Sequence, residues 1–304
     1  MTVLIRVIET ALPVLAALLL GMFCREKQFL SREGVDALKK VVINITLPAV
    51  LVNAFATAQY TLSSLIIPVT VFLLCCLGLV LGKFLSKLLN LGHLPAYLAT
   101  GFEAGMLGYA LFGLLYPEES ASSFAILDLG QTLFVFTLYK ALLSGKNGRQ
   151  AVVKDIVTSP IIWAIVAGVL LGATGIYSAM ASVGVSGILD SLTSFISAPT
   201  GMIILMAVGY DLDLKQIKWK ETGRFIVLRL ASMAVLLGLL LAANRLLLGN
   251  AVHPGAAVLL FLLPPPYVLP IFSDEEDQRT RLSSAISALT LVTMVLFAAM
   301  AVIV

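Results

Sequence analysis

Two carboxylates stand inside long apolar runs. Glu103 lies in Gly101-Phe102-Glu103-Ala104-Gly105-Met106-Leu107-Gly108-Tyr109-Ala110, and Asp128 lies in Leu127-Asp128-Leu129-Gly130-Gln131. A carboxylate in such a setting is costly unless it is paired or protonated, so it usually faces a cavity and marks an ion or proton path. The competing reading is a structural hydrogen bond between helices. Gln131 follows Asp128 by three residues and shares its helix face. A third feature is Pro264-Pro265-Pro266-Tyr267-Val268-Leu269-Pro270. Proline has no N–H and clashes with the preceding turn, so this run ends an α-helix. Chain ends freed by a break in a membrane helix, with their dipoles, can hold a solute or ion. The plainer reading is a kink at a helix end.

The same chemistry recurs more weakly elsewhere. Pro48 and Pro199 fall within apolar runs, with Asn44, Thr46 and Asn53 near the first and Ser194, Ser197 and Thr200 near the second. These polar groups either satisfy carbonyls freed by the prolines or line a solute path. Ser283, Ser284, Ser287 and Thr290 share one helical face and serve packing equally well.

Composition says which elements must position these groups. The 304 residues are 60% hydrophobic and 12% charged, against about 25% charged in soluble domains. No water-soluble fold of this length hides so much apolar surface. In a bilayer every backbone polar group must be paired within the chain, which leaves helices or closed barrels. Ten-residue alternation of the barrel kind is absent, so helices are expected. Apolar segments fall at 7–24, 37–57, 63–89, 95–115, 121–143, 157–175, 188–210, 222–248, 253–272 and 282–303. Each is near the ~20 residues that cross a bilayer. Val7–Phe23 lacks a small-residue cleavage site and is read as the first membrane helix, not a signal peptide.

Eighteen of the twenty Lys and Arg residues lie in or beside the odd-numbered gaps between segments, including Arg25, Arg32, Lys39, Lys146, Arg149, Lys154, Lys215, Lys218 and Arg229; only Arg6 and Arg245 do not. Positive loops stay cytoplasmic, so both termini are expected outside the cytoplasm, in a plasma (inner) membrane. The halves 1–150 and 151–304 read as two five-helix repeats. Thr10-Ala11-Leu12-Pro13 parallels Val157-Thr158-Ser159-Pro160, Ile45-Thr46-Leu47-Pro48 parallels Ile196-Ser197-Ala198-Pro199, and Pro95 parallels Pro254. An odd number of spans per repeat inverts the second copy, the arrangement carriers use for alternating access. In the same register Ala110 is the mate of Pro270.

At Leu47-Pro48-Ala49, Gly101 to Tyr109, Leu127 to Gln131, Ser159-Pro160 and Leu263-Pro264-Pro265-Pro266, the chain resembles the auxin efflux carrier family of bacterial and plant permeases. That family shares a structural superfamily with the bile acid/sodium symporters. The resemblance covers essentially the whole chain. It implies ten transmembrane helices, with helices one, two, six and seven as a scaffold that usually dimerises. Helices three to five and eight to ten would form a moving transport domain, with four and nine crossing at their breaks. The solute would bind beside that crossing, near Asn44, Asn53, Glu103, Gly105, Gly108, Tyr109, Gln131, Pro266 and Tyr267, with Glu103 or Asp128 as coupling group for a proton or sodium ion. Family substrates are organic anions, including auxin, malate and malonate. One departure matters: many members have proline in both crossing helices and asparagine just before the helix-four break, whereas here Ala110 holds the proline position and the nearby polar residue is Glu103, which could instead carry a proton or favour a cationic or zwitterionic solute. An acidic group there weighs against simple anion binding.

Other chemistry finds little support. Cys24, Cys75 and Cys76 form no CxxC pair, and His93 and His253 lack metal spacing. Asp274-Glu275-Glu276-Asp277 lacks spaced aspartates and has Arg279 and Arg281 beside it, and no serine sits in GxSxG. No cofactor, metal or nucleic acid is expected, and no enzymatic activity. A channel or membrane sensor on the same fold is the alternative to a carrier.

Overall fold

The computed structural model describes residues 2–88, 95–143, 157–212, 219–267, 269 and 276–303. Pro270, His93, Asp274, Glu275 and the loop cations Lys146, Arg149, Lys154, Lys215 and Lys218 lie outside the described residues. Those described are helical, with no strand among them, as lipid requires of backbone that must pair within the chain.

Five stretches are continuous and apolar enough to cross a membrane: Ser64–Leu88, Ser122–Tyr139, Ser186–Asp211, Thr222–Leu246 and Arg281–Ile303. Pro160–Ala173 and Ile176–Ser182 make a sixth if taken together, across a bend of 59°. The chain turns there at Gly175, whose φ of +77° suits a residue without a Cβ. The short helix beyond it was not anticipated from sequence, because the apolar pattern does not register a change of direction. Segment one is the single helix Thr2–Glu26.

The expected spans around Pro48, Gly101 and Pro264 are irregular, each in its own way. Segment two starts at Ser31, whose hydroxyl accepts the Gly34 N–H at 3.1 Å. It runs as Arg32–Val41, one π-turn at Val42–Thr46, and Leu47–Ala56. The wide turn comes just before Pro48, where the ring would clash with a regular preceding turn. Pro48 therefore gives a bulge, not a break. Pro199 likewise sits inside the continuous stretch Ser186–Asp211. Segment four is truly interrupted: Pro95–Leu98, an irregular stretch, a π-turn at Ala104–Gly108, and Tyr109–Leu115. In segment nine Pro254–Leu262 ends where the prolines begin.

Two groups of helices result. In the first, Thr2–Glu26 packs on Thr200–Asp211, and Pro160–Ala173 packs on Leu47–Ala56. Glycines set both approaches. A Cβ at Gly21 would lie 1.9 Å from the Met206 carbonyl oxygen and one at Gly209 2.1 Å from that of Leu18. A Cβ at Gly168 would lie 2.8 Å from the Val52 oxygen and one at Gly172 2.6 Å from that of Phe55. Close backbone contact of this kind is a main source of helix attraction in lipid. Segments one and seven thus pair as segments six and two do, which is the exchange of partners that swapping the two halves would produce. In the second group Leu62–Leu88 packs on Ser122–Phe134 and on Trp219–Leu246, which in turn packs on Pro254–Leu262 and Glu276–Ile303; Glu276–Ile303 also packs on Thr2–Glu26 and so joins the two groups.

Contacts at the helix ends keep the two faces of the bundle apart. On one, Arg32 pairs with Asp211 at 2.6 Å, Lys39 pairs with the same carboxylate, and Arg25 donates to the Tyr210 carbonyl at 3.2 Å. On the other, the Tyr116 and His253 rings meet edge to face at 5.0 Å. Odd gaps meet odd gaps and even gaps meet even ones, as the alternation of charge requires.

Candidate functional site

The two interrupted segments touch at their breaks. The Glu103 N–H donates to the Pro264 carbonyl at 2.9 Å, and the Glu103 carboxylate accepts the Tyr267 N–H at 2.6 Å. The glutamate therefore binds the backbone of the proline break with both its main chain and its side chain. It is 8% exposed, and its contact with an N–H beyond the prolines supplies a partner that the break left without one. Close fit explains the glycines. Gly101 has φ +69°, and a Cβ there would meet Pro266 Cγ at 3.1 Å. A Cβ at Gly108 would lie 2.6 Å from the Phe124 ring and 2.8 Å from Leu263. Gly105 faces Leu47, at 3.6 Å from a would-be Cβ, which brings the segment-four break to the bulge of segment two.

Asp128 is the centre of a second cluster, one layer away. Its carboxylate accepts from Tyr109 Oη at 3.0 Å, Gln131 Nε2 at 2.6 Å and Thr132 Oγ1 at 3.0 Å. Gln131 Oε1 in turn accepts the Phe102 N–H at 3.3 Å. A continuous chain of hydrogen bonds thus joins Tyr109 through Asp128 and Gln131 to the backbone beside Glu103. Tyr267 extends the network: its hydroxyl lies 3.2 Å from Thr290 Oγ1 on the last helix.

Of the residues singled out from sequence, Glu103, Gly105, Gly108, Tyr109, Asp128, Gln131, Pro264, Pro265, Pro266 and Tyr267 come together around the crossing. Asn44 and Asn53 lie elsewhere. Asn44 donates to the Lys40 carbonyl of its own helix at 2.7 Å. Asn53 donates to Asp190 and Thr193, each at 3.1 Å, fastening segment two to the start of segment seven.

Sequence reasoning missed the most heavily bonded side chain at the crossing. Arg229, counted above with the cytoplasmic cations, is buried at 2% exposure on the Thr222–Leu246 span. Its Nη1 donates to the carbonyls of Leu98 at 2.9 Å and Thr100 at 3.2 Å. Its Nη2 donates to those of Gly101 and Leu263, both at 2.8 Å. The guanidinium carbon lies 5.3 Å from the Phe102 ring centre. All four acceptors belong to chain leaving the half-helices Pro95–Leu98 and Pro254–Leu262. The available signal was Arg229's position within an apolar run, seven residues past the start of its segment. A tally of loop charges discards that information.

A cavity of about 510 Å³ opens beside the network, within the ~300–1,000 Å³ typical of small-molecule sites. One wall is Tyr109 to Pro117. The opposite wall comes from the first helix group, with Pro13, Val50, Ser197, Thr200 and Leu205. Tyr109 is in the lining, as are Ser197 and Thr200, which the sequence offered as lining of a solute path, and the Tyr109 hydroxyl carries the cavity wall back to Asp128. Among the described residues the lining is largely apolar, with Glu119 its one charged member. The Thr200 hydroxyl is buried there with no hydrogen-bond partner among the described residues.

No protein-family profile matches the chain. It is similar over nearly its whole length to two proteins known as transporters. One is an uncharacterized transporter of Methanothermobacter thermautotrophicus, 24% identical over 298 residues that span 94% of this chain and 95% of the relative. The other is the uncharacterized transporter YfdV of Escherichia coli (strain K12), 24% identical over 306 residues, 94% of each chain. These likenesses and the apolar helices support a multi-pass membrane protein with a role in transport. Neither relative's name carries a substrate, and neither names a catalytic activity.

Proposed function

We propose that the chain is a secondary active transporter of a small organic solute, working by elevator-type alternating access. In this reading ten membrane spans form two inverted five-helix repeats. Helices one, two, six and seven stay fixed as a scaffold, which pairs with a second copy. The rest carry the solute across the plasma (inner) membrane, with both termini outside the cytoplasm. The observation that carries the proposal is the junction of the two broken segments through Glu103, Pro264 and Tyr267, beside a cavity walled by the end of segment four and by the first helix group. Unwound backbone at membrane depth is tolerated where it is buried in protein or lines a path. The exchanged helix pairings of the two halves support the repeat, and the transporter-named relatives support the class.

Family resemblance favours a carboxylate, and the lining narrows the choice. Among the described residues the walls are mainly apolar and carry only the Glu119 carboxylate, so a dicarboxylate would bring two charges without partners, and an amphipathic acid with a single carboxyl group that enters protonated suits them better. A neutral or protonated acid fits without penalty. Proton linkage would run through Glu103 or Asp128, the carboxylates buried at the crossing. The test is counterflow in proteoliposomes: labelled indole-3-acetate, and separately labelled malate, presented to vesicles preloaded with the unlabelled compound. Saturable accumulation of the first above equilibrium is the expected result. Flux of either that never exceeds equilibrium and does not saturate would identify a channel.

A further inference from the structure

We propose that Arg229 is a resident cation of the crossing: its guanidinium fills a cage of backbone carbonyls in which an inorganic cation would otherwise bind, so the transport cycle runs without sodium or potassium. The second half of that statement rests on the carrier reading; the first half does not.

Four carbonyl oxygens, from Leu98, Thr100, Gly101 and Leu263, converge on the two terminal nitrogens at 2.8 to 3.2 Å. They come from both interrupted segments, and they are the groups that a broken helix leaves without N–H partners. Unwound carbonyls and half-helix C-terminal ends at membrane depth are what transporters offer to small cations. Here the place is taken by a side chain of the protein. Among the described residues no carboxylate pairs with Arg229. Its charge thus faces carbonyl dipoles and the Phe102 ring, with Nε buried and without a hydrogen-bond partner among the described residues. Gly101 is held at φ +69° with its carbonyl turned to the guanidinium, so the segment-four backbone is shaped to this contact. The Phe102 ring covers one side. A cation held covalently can neither leave nor be exchanged, and it ties both breaks into one unit through every step. Arg229 is therefore a positioning residue.

The experiment uses the purified full-length chain in detergent, melted in choline, sodium or potassium chloride at equal ionic strength. The wild type is expected to melt at the same temperature in all three, within about 1 °C, because no cation gains a site on folding. Arg229→Ala is expected to melt lower and to regain about 3 °C or more in tens of millimolar sodium or guanidinium chloride, salts that leave the wild type unmoved. Arg229→Lys, which keeps a cation in the cage, is expected to fold and to stay indifferent to salt identity. The proposal is overturned if sodium raises the wild type or Arg229→Lys by about 3 °C or more over choline, or if folded Arg229→Ala ignores every cation. In proteoliposomes, replacing sodium and potassium by choline is expected to change wild-type counterflow less than about twofold, and a tenfold fall overturns the sodium-free cycle. If no solute shows counterflow in any salt, it is the carrier reading that fails, and the melting curves still decide the role of Arg229.

Discussion

At the scale of single residues, charge and hydroxyl groups carry the testable content. Glu103→Gln retains an acceptor for the Tyr267 N–H but cannot ionise. If Glu103 couples a proton to transport, the variant should keep wild-type stability, and its initial rate of uptake should no longer vary with pH. A pH profile matching the wild type would remove the coupling role from this residue. Tyr109→Phe deletes one of three donors to Asp128. Interhelical hydrogen bonds in membranes contribute about 0.6–1.7 kcal/mol, so the melting temperature should fall by a few degrees. Gly101→Ala forces a Cβ into a left-handed residue 3.1 Å from Pro266, a cost of roughly 1–2 kcal/mol, and should lower the melting temperature in the same assay. It should also weaken the Arg229 contact to the Gly101 carbonyl.

Between elements, stability resides in backbone approach, because lipid removes the hydrophobic drive that would press soluble helices together. Gly209→Val is therefore expected to be more damaging than an average substitution. Its Cβ would sit 2.1 Å from the Leu18 carbonyl oxygen, and backbone on both sides leaves no flexible side chain to yield. Size-exclusion chromatography of the variant should show aggregate or a strongly reduced monodisperse peak. Gly238, with no atom near its would-be Cβ, supplies the control, and Gly238→Ala should behave as wild type.

For the whole molecule, the elevator reading requires the two helix groups to slide past each other. In that reading segment four moves with the transport helices, and Ala110, on the Tyr109–Leu115 helix, faces Gly201, on Thr200–Asp211 of the first group, with a Cβ-to-Cβ distance of 3.7 Å for a Cβ built at Gly201. This falls within the ~3.5–4.5 Å that a disulfide spans. Oxidation of the Ala110→Cys, Gly201→Cys double variant should therefore lock the groups together, stop counterflow, and be reversed by reductant. Full transport by the oxidised protein would mean that the two groups need not move apart.

Much of this was legible in the sequence, for a physical reason. Apolar content, helical class, the breaks at Gly101–Gly108 and Pro264–Pro266, and the separation of charge by face all follow from local chemistry: what hydrocarbon tolerates, what proline forbids and where cations stay. Glu103 and Asp128 stood out for the same reason, since a carboxylate in an apolar run is visible as a cost. What the sequence could not convey is which partners lift that cost. Asn53 and Tyr109 read alike, yet one fastens segments two and seven and the other joins the cavity wall to Asp128. Arg229 read as a loop-side cation, yet it binds four carbonyls from two distant segments. Those contacts join residues from 19 to 137 positions apart, and only the packed chain determines them.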